Sequence, residues 1–291
     1  MTVQEATLIA AIVAAVTSIL TTVVLRYFVE DKLLKRRAET EYKYEQRKAM
    51  RVAMGLFDGP MLQAAEDLHN RMLNLYRNGE RGWLDTGPDR DDYYYESTVY
   101  RLASVVRLAV RLEQRAFYLE PSVVEPRDVI SLRYAKAFQW VLTDGGMFHE
   151  TAMMPASGTD FFRRERLRAV ADIPVPPDRQ FTFSFFVDHA IGNEALADMR
   201  AFIDGLSPSG APQRWDRLVA LDLLLMTFMN RVGFDPLHTF DQTALTDVAT
   251  RFRSPAVRDR FAHWFIPEMK LQSEPEAKAL LSALRASRST E

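Results

Sequence analysis

Residues 6–25 read ATLIAAIVAAVTSILTTVVL, a run without one charged side chain. As a helix it is about 30 Å long, the thickness of a bilayer's hydrocarbon core. No other feature of the sequence limits so strongly where the chain can sit. Leu8, Ile9, Ile12, Val13, Val16, Ile19, Leu20, Val23, Val24 and Leu25 each favour insertion by at most about 0.3 to 0.6 kcal/mol. Together they contribute on the order of 3 to 5 kcal/mol, before the small penalties for Thr7, Thr17, Ser18, Thr21 and Thr22. A buried helix of a soluble core would normally carry a polar stripe, and this run has nothing more polar than hydroxyls. The run is read as a transmembrane helix.

The flanks set its orientation. A cleaved signal peptide needs basic residues ahead of the apolar run, and only Glu5 stands there. Arg26, Lys32, Lys35, Arg36 and Arg37 follow it, so the positive-inside rule puts the N-terminus outside and the C-terminal side in the cytoplasm. Tyr27 and Phe28 fall where interfacial aromatics sit, and Arg26 can snorkel to headgroups.

Ala10, Ala14, Ser18 and Thr22 recur every fourth residue, with Ala11 and Ala15 beside them. Small side chains at that spacing allow two helix backbones to approach closely in lipid, so the stripe is a candidate for transmembrane self-association. Ala and Thr are also common filler in membrane helices, and the sequence leaves both readings open. The run holds no Asp, Glu, Lys, Arg or His, so one copy contains neither an ion relay nor a voltage sensor.

Beyond the run the composition is that of a globular protein, 47% hydrophobic and 26% charged over 291 residues. Roughly 230 residues follow the membrane-proximal part, enough for one good-sized core or two small domains. A net charge of −2 gives no general bias toward nucleic acid, which is not expected as a partner. With no cysteine, thiolate nucleophiles, disulfides and cysteine-based zinc sites are excluded.

From Val29 the chain is dense in charge, VEDKLLKRRAETEYKYEQRKAMRVAM, and neither Gly nor Pro occurs before Gly55. The membrane helix is therefore expected to run on as a charged stalk, whose basic excess could also attract anionic headgroups. Asp58-Gly59-Pro60 is expected to break it. Three parts follow: an anchor over 1–28, a helical stalk over 29–57 and a cytoplasmic helical domain over 58–287. In that domain, apolar residues at spacings of three and four predict helices over 60–77, 93–119 and 126–142, the last stopped by Gly145-Gly146. The 93–119 helix carries Arg101, Arg107, Arg111 and Arg115 off its apolar stripe. Further helices are expected over 160–171, 193–205, 241–253, 256–265 and 274–286. Residues 215–232 are the most apolar stretch outside the anchor, but Arg217, Asp222 and Arg231 favour a buried central helix over a second span. Phe181, Phe183 and Phe185 alternate with Thr182 and Ser184, which reads either as an extended segment or as an early helix start.

Reactive motifs are absent. His69, His149, His189, His238 and His263 make no H-E-x-x-H or H-x-x-x-H pair, and no nucleophile elbow, phosphate loop or dinucleotide turn occurs. No catalytic, cofactor-binding or metal-binding residue is assigned. Arg163, Arg164, Arg166 and Arg168 crowd one short helix and form the best candidate for an anion or partner surface, against the alternative of a solvated or salt-bridged face.

The segments MLQAAEDLHNRMLNLY (61–76), STVYRLASVVRLAVRLEQRAFYLE (97–120), DFFRRERLRAV (160–170) and RLVALDLLLMTFMNRVGFDP (217–236) resemble a group of uncharacterised bacterial membrane-anchored helical proteins. These are packing patterns, and the resemblance implies no activity. The expectation is an all-α protein with one N-terminal transmembrane helix, a charged stalk and a cytoplasmic multi-helix bundle, in a bacterial inner membrane. It would be an interaction, sensing or scaffolding module rather than an enzyme, with no cofactor. Its expected partners are the lipid bilayer, an unidentified protein and further copies of itself through the membrane helix. The alternative is an oligomeric membrane effector, such as a bacterial defence protein that perturbs the bilayer.

Overall fold

The computed structural model describes residues 3–85, 92–116, 129–148, 159–177, 179–233 and 239–290. All regular structure among these residues is helical. The chain divides into two compact units, the first made mainly of Met1–Met50 and the second beginning at Arg51.

Helix α1 runs from Val3 to Asn78 and contributes to both units. In the first unit it holds one stretch, within Thr7–Ala49, that is long and apolar enough to cross a membrane, with a mean hydropathy of 2.6 and none of it buried. Three threonines of the apolar run close their own hydrogen bonds. The hydroxyls of Thr17, Thr21 and Thr22 each donate at 2.7 Å to the carbonyl four residues back, on Val13, Thr17 and Ser18. A threonine that closes its own hydrogen bond in this way brings no unpaired donor into an apolar medium.

The break expected at Asp58-Gly59-Pro60 does not occur, and Pro60 lies inside the helix. Proline removes one hydrogen bond and costs about 3 kcal/mol in a helix interior. Gly59 and Pro60 both face solvent, where the freed carbonyl can be hydrated. On the other side Met61, Ala64, Ala65, Leu68, Met72 and Leu75 are buried. At about 0.8 kcal/mol per buried methylene, that stripe outweighs the local cost and carries the helix through.

The second unit is built around α7 (Pro212–Val232), which is buried on all sides from Trp215 to Met229. The helix expected at the centre of the bundle is there, and its burial accounts for the apolar pattern: a helix at the centre of a bundle needs no polar face. Helix α3 (Ile130–Thr143) packs on α7 and on α2 (Asp92–Ala116). On another side, α8 (Gln242–Ala249) and α11 (Pro275–Ala286) pack on α7 and on each other. The short α4 (Arg164–Ala169), which continues into a 3-10 turn over Val170–Asp172, lies against α2, as does α6 (Ala197–Ile203). Helix α9 (Pro255–Arg260) passes through a π-turn over Phe261–Phe265 into α10 (Ile266–Glu268).

The alternating phenylalanines start a helix. Thr182 caps α5 (Phe183–Phe185) by accepting from the Phe185 amide at 3.2 Å, and a π-turn over Phe186–Ala190 follows. Thr182 is an N-cap residue ahead of apolar side chains, and that local bond wins over the two-residue periodicity.

Candidate functional site

Two charged residues are buried in α7 next to each other and do different work. Arg217 donates to the carbonyls of Asp160, Val141 and Asp144 at 2.7, 2.7 and 2.9 Å, with its guanidinium 4.5 Å from the Phe148 ring centre. Burial lowers its pKa to about 10, so it stays charged at neutral pH. It fastens α7 to the end of α3. Asp216 accepts from the backbone amides of Arg253 and Ser254 at 2.7 and 3.1 Å, and burial pushes its carboxyl up to about 7 against those two bonds. Both act as structural ties between α7 and the segments packed on it.

A groove of about 610 Å³ lies in the second unit between α1, α2 and the segment 175–182. Helix α2 supplies one wall because Tyr100, Arg101, Ser104, Arg107, Leu108 and Arg111 recur at helical spacing along a single face. Arg179 stands on the opposite segment, with Gln180, Phe181 and Thr182 after it. Gln63 and Asp67 face in from α1 and are hydrogen-bonded to each other at 3.3 Å.

Arg107 is the anchor of this wall and is only 3% exposed. Its Nη1 donates to the carbonyls of Val170, Ala171 and Ile173 at 3.1, 3.2 and 2.8 Å, and its guanidinium lies 5.0 Å from the Phe181 ring centre. Its Nη2 is buried without a hydrogen-bond partner. Burial first, and the nearby Arg111 charge second, lower its pKa to about 10, while Asp172 opposes them. Arg101 donates to the Ser97 carbonyl at 2.9 Å, and Arg111 to that of Ala171 at 3.4 Å. The Tyr100 hydroxyl donates to the Phe181 carbonyl at 3.1 Å and fixes the far wall. Among the described residues, no carboxylate forms an ion pair with Arg101, Arg107, Arg111 or Arg179.

The arginine-rich helix is different. Arg164 and Arg168 both reach Glu113, at 3.9 and 3.0 Å, and Arg166 lies 3.4 Å from Glu194 and 3.5 Å from Asp198. Arg163 is exposed and lines a smaller hollow with Arg166 and Asp198. Three of the four cations expected to form an anion surface thus already have carboxylate partners. Ala10, Ala14, Ser18 and Thr22 are all exposed along α1.

Of the histidines, His69 is buried with Nδ1 2.7 Å from Asp222, His189 lies beside the Phe185 ring, and His263 lies 3.1 Å from Arg288. His149 and His238 fall outside the described residues. Among the described residues no group of three or more His, Cys, Asp or Glu is disposed to hold a metal ion.

The groove escaped the sequence reading because Arg107 stands off the main apolar stripe of α2 and so reads as solvent-facing. The available signal was arginine at 101, 107 and 111 with Ser104 between, on one helix face rather than spread around it. No protein-family model, curated protein or solved structure matches this chain.

Proposed function

We propose that this protein is a single-pass membrane-anchored module that senses or binds a partner through its second unit. The observation that carries the reading is the fully exposed apolar stretch of α1, none of which enters the buried core of the second unit. An apolar helix that buries none of its surface in protein is stable when lipid covers it. The basic residues after the run put the second unit in the cytoplasm, and the resemblance to bacterial membrane-anchored proteins is the ground for assigning a bacterial inner membrane. Copies associate through the face carrying Ala10, Ala14, Ser18 and Thr22. The basic groove gives the second unit a place where a ligand can act.

Protease treatment of intact spheroplasts and of inverted membrane vesicles tests the arrangement. The second unit is expected to survive in spheroplasts and to be digested in inverted vesicles. Digestion in intact spheroplasts would reverse the orientation and remove the sensing role on the cytoplasmic side.

A further inference from the structure

We propose that the groove between α1, α2 and residues 175–182 binds a small phosphate-bearing organic anion, and that this ligand is what the second unit senses. The inference deepens the sensing reading and rests on it. Among the described residues, four arginines line the groove against one carboxylate, Asp67, a balance of three positive charges in that lining. Like charges held together repel, and a buried guanidinium nitrogen without a partner forfeits a hydrogen bond. Arg217 is also held by carbonyls alone, but as a single cation, whereas the clustered Arg164 and Arg168 share the carboxylate of Glu113. Here the carbonyls of the 170–173 turn and the Phe181 ring hold Arg107 without neutralising it. An entering anion supplies the missing counter-charge.

Phosphate fits best. Guanidinium forks match its oxygens two at a time, and a phosphomonoester carries close to two charges at neutral pH. About 610 Å³ is far more than inorganic phosphate fills and lies in the range of metabolite and cofactor sites. Leu108, Val175 and Phe181 give the remaining wall an apolar side for the organic part. The phosphate could come from a soluble nucleotide or from a lipid headgroup.

The test uses the full chain in phosphatidylcholine nanodiscs, titrated calorimetrically with ATP, with pyrophosphate and with citrate. ATP or pyrophosphate is expected to bind saturably and more tightly than citrate. Arg111→Ala with Arg179→Ala, both on exposed side chains, is expected to weaken that binding about tenfold or more, while an unchanged circular dichroism spectrum reports an intact fold. Phosphatidylglycerol in the discs identifies the source: loss of soluble-phosphate binding through competition assigns a lipid headgroup, and unchanged binding assigns a soluble ligand. The proposal is overturned if neither phosphate probe binds, if citrate binds equally well, or if the double variant binds as the parent does. A chain that will not enter the discs would instead count against the membrane anchor, so the two failures are separable.

Discussion

His69 Nδ1 lies 2.7 Å from Asp222 Oδ1, with both side chains buried between α1 and α7. The other oxygen of Asp222 accepts from the Tyr76 hydroxyl at 2.9 Å, and the Phe240 ring closes on His69 at 4.7 Å. One carboxylate thus ties two turns of α1 to the central helix. Burial, and then the Asp222 charge, hold the Tyr76 phenol well above its ordinary pKa, so it remains a donor throughout the physiological range. Asp222→Leu removes the shared acceptor and leaves the buried His69 and the part-buried Tyr76 hydroxyl without it. It is expected to destabilise the second unit by about 3 to 5 kcal/mol, read by urea denaturation. A loss below about 1 kcal/mol would mean that the cluster is not a structural tie.

Asp216 makes stability depend on pH. Its folded-state pKa of about 7 lies above the ordinary 3.8, so between those values the unfolded chain releases a proton that the folded chain keeps. The contribution is fully present below about pH 4 and is lost as pH rises toward 7, at up to about 1.4 kcal/mol per pH unit. Denaturation midpoints of the parent and of Asp216→Asn, measured from pH 4 to 8, are expected to show this slope in the parent minus variant difference. A flat difference would contradict it.

Arg217→Met keeps much of the side chain's volume but strips three carbonyls of their donor. The expected loss is about 3 kcal/mol or more, and Arg217→Lys should recover only part of it because an ammonium lacks the planar fork. Thermal unfolding of the three proteins side by side checks both statements.

The sequence exposed the large features and missed those where a local rule met a stronger tertiary one. The apolar run at 6–25 and the helix around Leu218–Met229 were legible because long uncharged or amphipathic periodicity has few competing readings. At Pro60 the breaker rule failed because burial of Met61 through Leu75 is decided by the rest of the bundle. Arg107 was assigned to the outside because periodicity recognises one buried face, whereas α2 is covered by α3, by α6 and by the 170–172 turn. Local spacing groups Arg101 and Arg111 on one face of α2, but it does not tell that Arg179 faces them across a groove or that Glu113 pairs with Arg164 and Arg168; those outcomes depend on segments fifty or more residues apart.

Close approach of two copies in lipid depends on small side chains at the contact. Ala14→Leu adds bulk to the stripe without changing the apolar character of α1. Cross-linking of the full chain in nanodiscs is expected to give a dimer or larger band for the parent, reduced several-fold in the variant. Equal bands in both would place any association elsewhere.

The most direct measurement is extraction of native membranes with alkaline carbonate. The full chain is expected to stay in the membrane pellet. Val16→Asp places a charge at the centre of the run at a cost of about 2.5 to 3.5 kcal/mol, comparable with the whole gain from insertion, and should move a large fraction into the supernatant. Release of the intact parent chain by carbonate would contradict the account at its root.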